Sequence, residues 1–338
     1  MSKIRVGING MGRIGRTVLR EIINRNVEEI EVVAVNSPGL PEQYVHLLKY
    51  DSVHGKFDGE ITIKDGHILN INDRKITFHK YRDPLEIPWG NDKVDIVIDA
   101  TGIFKDKKGL GKHLRDSVKK VIMCAPGNDL DGTFVMGINH EEYSNEKHHI
   151  VSNASCTTNC LAPVAKVLND VFGIESGYMT TVHSYTGDQR ILDSSHKDMR
   201  RARAAAVSMI PTTTGAAKAV GLVIPELQGK LDGFAVRVPT PNVSLVDLNV
   251  IVKKQVTIEE VNAALKEASE TSLEGVLAYV DEPLVSCDFM GMRESSALDA
   301  DLTNVMNGNN VKVVAWYDNE AGFSNRVIDL AIHIAKAL

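Results

Sequence analysis

Cysteine is scarce in this chain: its 338 residues include four, at positions 124, 156, 160 and 287. That is too few for a disulfide framework, and none of the spacings makes a zinc site, so no metal is expected and the compartment is expected to be reducing. Positive charge is not in excess either. A formal net charge of −6 argues against sequence-independent polyanion binding as the main task, and nucleic acid is not expected as the main partner. Apolar runs of membrane length are missing, as is a basic-then-apolar leader after Met1, so the reading is a cytoplasmic protein with no membrane partner. Neither repeats nor low-complexity segments occur.

With 43% hydrophobic residues, the chain is long enough for about two ordinary domains. Its most informative stretch is Ser155-Cys156-Thr157-Thr158-Asn159-Cys160. Val164, Val167, Leu168 and Val171 follow at helical spacing, which puts Cys156 at the start of a helix. Unpaired N–H groups and the dipole there favour thiolate, the form that attacks carbonyl carbon. Cys124, Cys160 and Cys287 read as ordinary buried small hydrophobes.

Near the start, Ile4, Val6 and Ile8 alternate, then Gly10-Met11-Gly12-Arg13-Ile14-Gly15 leads into Val18 and Ile22 on one helical face, and Ile30–Val35 reads as a second strand. Strand, glycine turn, helix and strand within about 30 residues is a dinucleotide-binding pattern, with glycines where a pyrophosphate approaches the backbone. Strands at Val94–Ala100 and Lys120–Cys124 extend what reads as a parallel sheet. Beyond Gly177, strands are expected at Tyr178–His183, Phe234–Val238, Val243–Val252 and Val311–Trp316, with a closing helix from Ser324. Residues 184–207 read as a long functional or subunit-contact loop.

A nucleophilic cysteine needs a base, and His183, ending a strand, is the candidate among eleven histidines. Arg237 is a charge inside the apolar strand Phe234–Val238. It is either a structural ion-pair partner or an anion-binding arginine. Arg200-Arg201-Ala202-Arg203 reads by default as a solvated basic face.

Taken together, Asn9–Arg16, Lys49-Tyr50-Asp51-Ser52, Ser152–Asn159, Pro211–Lys218, Arg237–Asn242 and Trp316–Glu320 resemble phosphorylating glyceraldehyde-3-phosphate dehydrogenase over essentially the whole chain. The resemblance implies an α/β Rossmann-like NAD(P)-binding domain, residues 1–155 with 320–338, and an α+β catalytic domain with a mostly antiparallel sheet, residues 156–319 including the 184–207 loop. It further implies a homotetramer that oxidises D-glyceraldehyde 3-phosphate with inorganic phosphate to 1,3-bisphosphoglycerate.

By that resemblance Cys156 is the nucleophile and His183 the base, with the Cys156 backbone N–H and the His183 ring stabilising the oxyanion. Thr186 and Arg237 fall at the substrate-phosphate site; Ser155, Thr157, Thr214, Gly215 and Arg201 fall at the attacking-phosphate site. Gly10, Gly12, Arg13, Ile14, Asn36, Ser37, Arg82, Thr101, Cys124 and Asn319 are assigned to NAD or NADP. The sequence departs from NAD-preferring members at Asn36-Ser37-Pro38, which lacks the carboxylate for the ribose 2′-hydroxyl, and at Ser194-Ser195 in place of Leu-Pro. Both changes point toward NADP. Erythrose-4-phosphate dehydrogenase is the nearest rival activity, and RNA binding a rival of another class.

Overall fold

Only a residue without Cβ takes φ +97° without strain, and Gly10 does so at the end of β1 (Ile4–Asn9). The chain then enters α1 (Arg13–Asn24) and returns as β2 (Ile30–Asn36), parallel to β1, completing the expected βαβ unit. This is a computed structural model, and it describes residues 3–338. The chain divides into two units. The first holds everything up to Phe134, then His140–Ala154 and Ser324–Leu338; the second holds Val135–Asn139 and Ser155–Phe323.

In the first unit, α2 (Pro41–Lys49) leads to a small ribbon, β3 (Tyr50–Asp51) with β4 (Gly55–Lys56). Then come β5 (Ile61–Lys64), β6 (Ile68–Ile71), β7 (Arg74–His79), β8 (Ile96–Asp99), α3 (Lys107–Leu110), β9 (Lys120–Met123), β10 (Gly132–Thr133) and β11 (Ile150–Ser152). The nine-stranded sheet runs β10-β11-β9-β8-β1-β2-β7-β6-β5. The expectation of a parallel sheet holds from β10 to β7 but fails at one edge, where β6 is antiparallel to both neighbours. Tight turns cause this. Asp65, Gly66 and Asn72 all have positive φ, so the chain reverses directly and needs no crossover helix. Val6, Ile8, Val97, Ile98, Val121 and Ile122 are fully buried in the sheet centre.

The second unit opens with α4 (Cys156–Phe172). Its seven strands are β12 (Ile174–Ser184), β13 (Ile210–Thr213), β14 (Leu231–Val238), β15 (Ser244–Val252), β16 (Leu277–Val280), β17 (Ser296–Met306) and β18 (Asn310–Tyr317), in the order β13-β14-β12-β15-β18-β17-β16. Most pairings are antiparallel. The exceptions are β12 with β14 and β16 with β17. Helices α5 (Ala216–Val223) and α6 (Ile258–Glu270) belong to this unit, and α7 (Ala321–Ala337) starts at its end. Residues 185–209 carry no helix or strand beyond one isolated bridge, Arg190 with Ala204. No helix among the described residues is long and apolar enough to cross a membrane.

Candidate active site and dinucleotide cradle

Ser155 caps α4: its Oγ accepts from the Thr158 N–H at 3.0 Å, which fixes Cys156 as the first helical residue. Val164, Val167 and Leu168 are buried as expected, whereas Val171, near the C-terminal end of the helix, is exposed. Backbone N–H groups of Thr157 and Cys156 and the Thr157 hydroxyl reach the sulfur. His183 Nε2 lies 3.5 Å from Cys156 Sγ. Strand register explains the rest. His183 on β12 and Arg237 on β14 are paired across adjacent parallel strands, so both side chains leave the sheet on one face. Arg237 Nη1 sits 2.7 Å from His183 Nδ1 and 3.0 Å from the Ser184 carbonyl oxygen.

Burial governs the ionisation here. It pushes the Cys156 thiol up, against the pull of Arg237 and the helix-start N–H groups. Burial, followed by the Arg237 charge, drives His183 down to about 3. Both shifts run against the thiolate expected at a helix start, because desolvation opposes the charged forms that the dipole favours. A correction concerns Cys287, which is exposed, in a single 3-10 turn at Ser286–Phe289. Cys160 is buried, its thiol raised to about 12 by desolvation, and Cys124 is partly buried and raised for the same reason.

Arg237 has no carboxylate partner among the described residues, and its buried Nε makes no hydrogen bond. The ion-pair alternative is absent. Asn319 Oδ1 accepts from the Ser184 and Ser244 hydroxyls at 2.8 and 2.9 Å, which turns its amide nitrogen away from both. Asp318 fixes that turn, accepting from the N–H groups of Glu320, Ala321 and Gly291 and from Asn242 Nδ2, each at 2.8 Å.

In the first unit the glycine turn is built for a bulky anion. A Cβ on Gly15 would lie 1.9 Å from the Gly10 carbonyl oxygen, whereas Gly12 faces open space. Gly12 leaves α1 without a side-chain N-cap, so the first N–H groups stay available to a pyrophosphate. Arg13 forms a bidentate pair with Asp51, 2.6 and 3.1 Å. Burial alone would raise the Asp51 carboxyl, but the N–H groups of His54 and Val53 and the Arg13 guanidinium hold it at about 2. Asn36 spans the sheet edge, bonded to Asn9 Oδ1 and to both backbone groups of Tyr81, and so anchors the exposed Arg82 next to it. Ser37 is buried, its Oγ donating to Tyr44 Oη at 2.6 Å. Thr101 is tied to Asp99, its Oγ1 donating at 2.7 Å. These features suit a nicotinamide dinucleotide.

A family model described as the NAD binding domain of glyceraldehyde 3-phosphate dehydrogenase matches residues 4–107, and one described as its C-terminal domain matches residues 155–319. The sequence is 58% identical over 333 residues to glyceraldehyde-3-phosphate dehydrogenase 1 of Bacillus subtilis (strain 168), covering 98% of each chain. This chain belongs to the glyceraldehyde-3-phosphate dehydrogenase family. It is also similar to glyceraldehyde-3-phosphate dehydrogenase 2 of Nostoc sp., 56% identical over 98% of this chain and 99% of that one. A third relative is the chloroplastic glyceraldehyde-3-phosphate dehydrogenase A of Chlamydomonas reinhardtii, 55% identical over 99% of this chain and 89% of that one.

In this family member the residues expected at the attacking-phosphate site are largely engaged with neighbouring groups outside that set. Besides capping α4, Ser155 Oγ contacts Thr158 Oγ1 at 2.8 Å, and Thr157 Oγ1 meets Tyr317 Oη at 2.8 Å in the interior. Arg201 is not a solvated charge. It binds the Asp188 carboxylate, and its Nε donates to Thr212 Oγ1 at 3.0 Å. Thr214 Oγ1 accepts from the Ala216 N–H at 3.2 Å, and Gly215 is exposed with open space beside it. Thr186 is half-buried, and Ser194 and Ser195 are exposed in the 184–207 loop.

Sequence reasoning missed Tyr317, Asp188 and Tyr44. Tyr317 is buried, joins Thr157 to Thr181 and sets its ring edge-on to His183 at 5.9 Å; a hydroxyl at an inward position of an apolar strand was the available signal.

Proposed function

We propose that this family member oxidises D-glyceraldehyde 3-phosphate to 1,3-bisphosphoglycerate through a Cys156 hemithioacetal and thioester, as a homotetramer. The observation that carries the reading is one sulfur and one guanidinium without a carboxylate partner, each within hydrogen-bond reach of the same imidazole. Cys156 Sγ adds to the aldehyde carbon as His183 takes a proton. The bound dinucleotide supplies the hydride acceptor. The Cys156 N–H at the start of α4 and the His183 ring stabilise the oxyanion, and Arg237 with Thr186 holds the C3 phosphate. Asn319, its oxygen occupied by two serines, presents its amide to the carboxamide of nicotinamide. Inorganic phosphate, drawn by Arg201, Thr214 and Gly215, then displaces sulfur from the thioester and leaves as an acyl phosphate.

Both NAD and NADP are accepted in this reading, because Ser37 carries no charge to repel a 2′-phosphate and Arg82 stands exposed beside the same sheet edge. The test is turnover with NAD and NADP side by side, with and without inorganic phosphate. Phosphate-dependent reduction of neither cofactor overturns the activity. A kcat/KM for NAD more than about a hundredfold above that for NADP overturns only the reading of Ser37, since that gap exceeds what one removed charge repulsion accounts for.

A further inference from the structure

Arg201 presents a planar fork of N–H donors in the 184–207 loop, and the chain itself already fills that fork. Nε donates to Thr212 Oγ1 at 3.0 Å and Nη2 to the Thr213 carbonyl oxygen at 3.3 Å, both on β13, while Nη1 binds the Asp188 carboxylate. The β13 contacts aim the guanidinium. The third contact puts an anion where an anion is expected, since Thr214 and Gly215, which share the attacking-phosphate assignment with Arg201, follow directly after β13.

Two carboxylates lie beside this guanidinium, and they differ in how they are held. Asp198, 3.6 Å from Nε, is committed elsewhere: it accepts from Thr212 Oγ1 at 2.6 Å and from the N–H groups of Arg200 and Arg201 at 2.8 and 3.3 Å. It belongs to the frame. Among the described residues Asp188 has side-chain partners only, Arg201 at Oδ2 and His196 Nε2 at 3.5 Å from Oδ1, and its side chain is 48% exposed. Burial alone would raise its carboxyl, but Arg201 and then His196 hold it below the ordinary range. A half-exposed carboxylate tied only to side chains is one that another anion can replace. The charges of Arg201 and Asp188 also reach Arg237, the first opposing its charge and the second favouring it.

We propose that Asp188 is an internal competitor of inorganic phosphate for Arg201, displaced toward His196 each time phosphate binds. The proposal rests on the reading of Arg201 as an attacking-phosphate residue. His196 is placed to receive the carboxylate: its side chain is 6% exposed, and the Asp198 N–H donates to its Nδ1 at 2.9 Å, leaving Nε2 toward Asp188. The exchange makes the pocket selective. A phosphate dianion offers the fork more charge and more oxygens than one carboxylate and displaces it, whereas a monoanion such as chloride gains nothing by the exchange. Asp188 thus weakens phosphate binding and in return keeps lesser anions off the guanidinium.

The test is the KM for inorganic phosphate, measured on the full chain with aldehyde and dinucleotide saturating. Asp188→Asn should lower it about threefold to fivefold, the size of a half-exposed ion pair, and Asp188→Ala should do the same. Chloride should compete with phosphate in both variants at concentrations that leave the unmodified enzyme unaffected. Loss of mere structural support would move the KM the other way. Arg201→Leu should raise it, and in that background Asp188→Asn should have no further effect. Asp193, paired with Arg203 in the same loop at 2.8 Å, controls for charge in general, so Asp193→Asn should leave the KM unchanged. A KM that Asp188→Asn leaves unchanged or raises, while Arg201→Leu still raises it, would overturn the proposal and spare the reading of Arg201. An equal drop in Asp193→Asn would do likewise. If Arg201→Leu leaves the KM for phosphate unchanged, both fall.

Discussion

Burial pushes the Cys156 thiol up against the pull of Arg237 and the helix-start N–H groups, so packing as well as the helix start sets its reactivity. Labelling should therefore sort the four cysteines by access and consequence. Cys287, exposed, should alkylate readily with no loss of activity, Cys160 should resist, and inactivation should track Cys156 alone in peptide mapping. Inactivation that follows Cys287 modification would reject the assignment. Cys156→Ser should bind cofactor normally and fail to turn over. His183→Asn should slow hydride transfer by about 10²–10⁴-fold, the usual range for a lost general base, with dinucleotide Kd unchanged; an equally fast variant would mean that another group takes the proton.

Elements place these residues where they can act, and two of them invite tests of their own. At the α1 turn, Gly15→Ala would drive a methyl into the Gly10 carbonyl, 1.9 Å from where Cβ must sit. The turn would have to open, and dinucleotide Kd should rise at least about tenfold, read by fluorescence titration, given how closely a pyrophosphate must approach this backbone. Unchanged affinity would show that the turn is not the cradle. Beside it, the Asp51 carboxyl sits at about 2 against an ordinary 3.8. A folded value below the unfolded one means the stabilisation is complete above about pH 4 and is lost as pH falls through about 2. Asp51→Asn should thus weaken the fold at neutral pH by about 2 kcal/mol, an upper figure for so small a shift, and hardly at all near pH 2. Equal destabilisation at both pH values in urea titrations would contradict it. At the end of β2, Ser37→Asp would set a carboxylate beside Tyr44 and should raise the Kd for NADP about tenfold while sparing NAD, the size expected for one anion repelling another in a partly shielded cleft.

For the whole molecule, the exposed apolar side chains of the 184–207 segment and its flank are the feature that demands an account. Ile191, Leu192, Met199, Val207 and Met209 are each at least 75% exposed, and exposed large apolar side chains concentrated in one segment are what an interface between subunits would cover. Sedimentation should report a mass of four chains, and paired Ile191→Asp and Met209→Asp changes should lower it; a wild-type monomer would refute the homotetramer.

How much of this was legible in the sequence depends on how local the cause is. The glycine turn, the start of α4 and the strand carrying Arg237 were readable because side-chain alternation, a capping serine and missing Cβ atoms act within a few residues. The β5–β7 hairpins were missed because their turns, at Asp65-Gly66 and Asn72, join strands too short to show a period. Cys156 and His183 as a reacting pair, and two domains with a dinucleotide cradle in the first, follow from the residues and their resemblance to a family. What only the tertiary structure decided is the surroundings of that pair. The dipole that favours a thiolate belongs to one helix and can be read along the chain. The desolvation that opposes it comes from packing against the sulfur, and the guanidinium beside His183 arrives on β14, more than fifty residues away, through a strand register that no local pattern encodes.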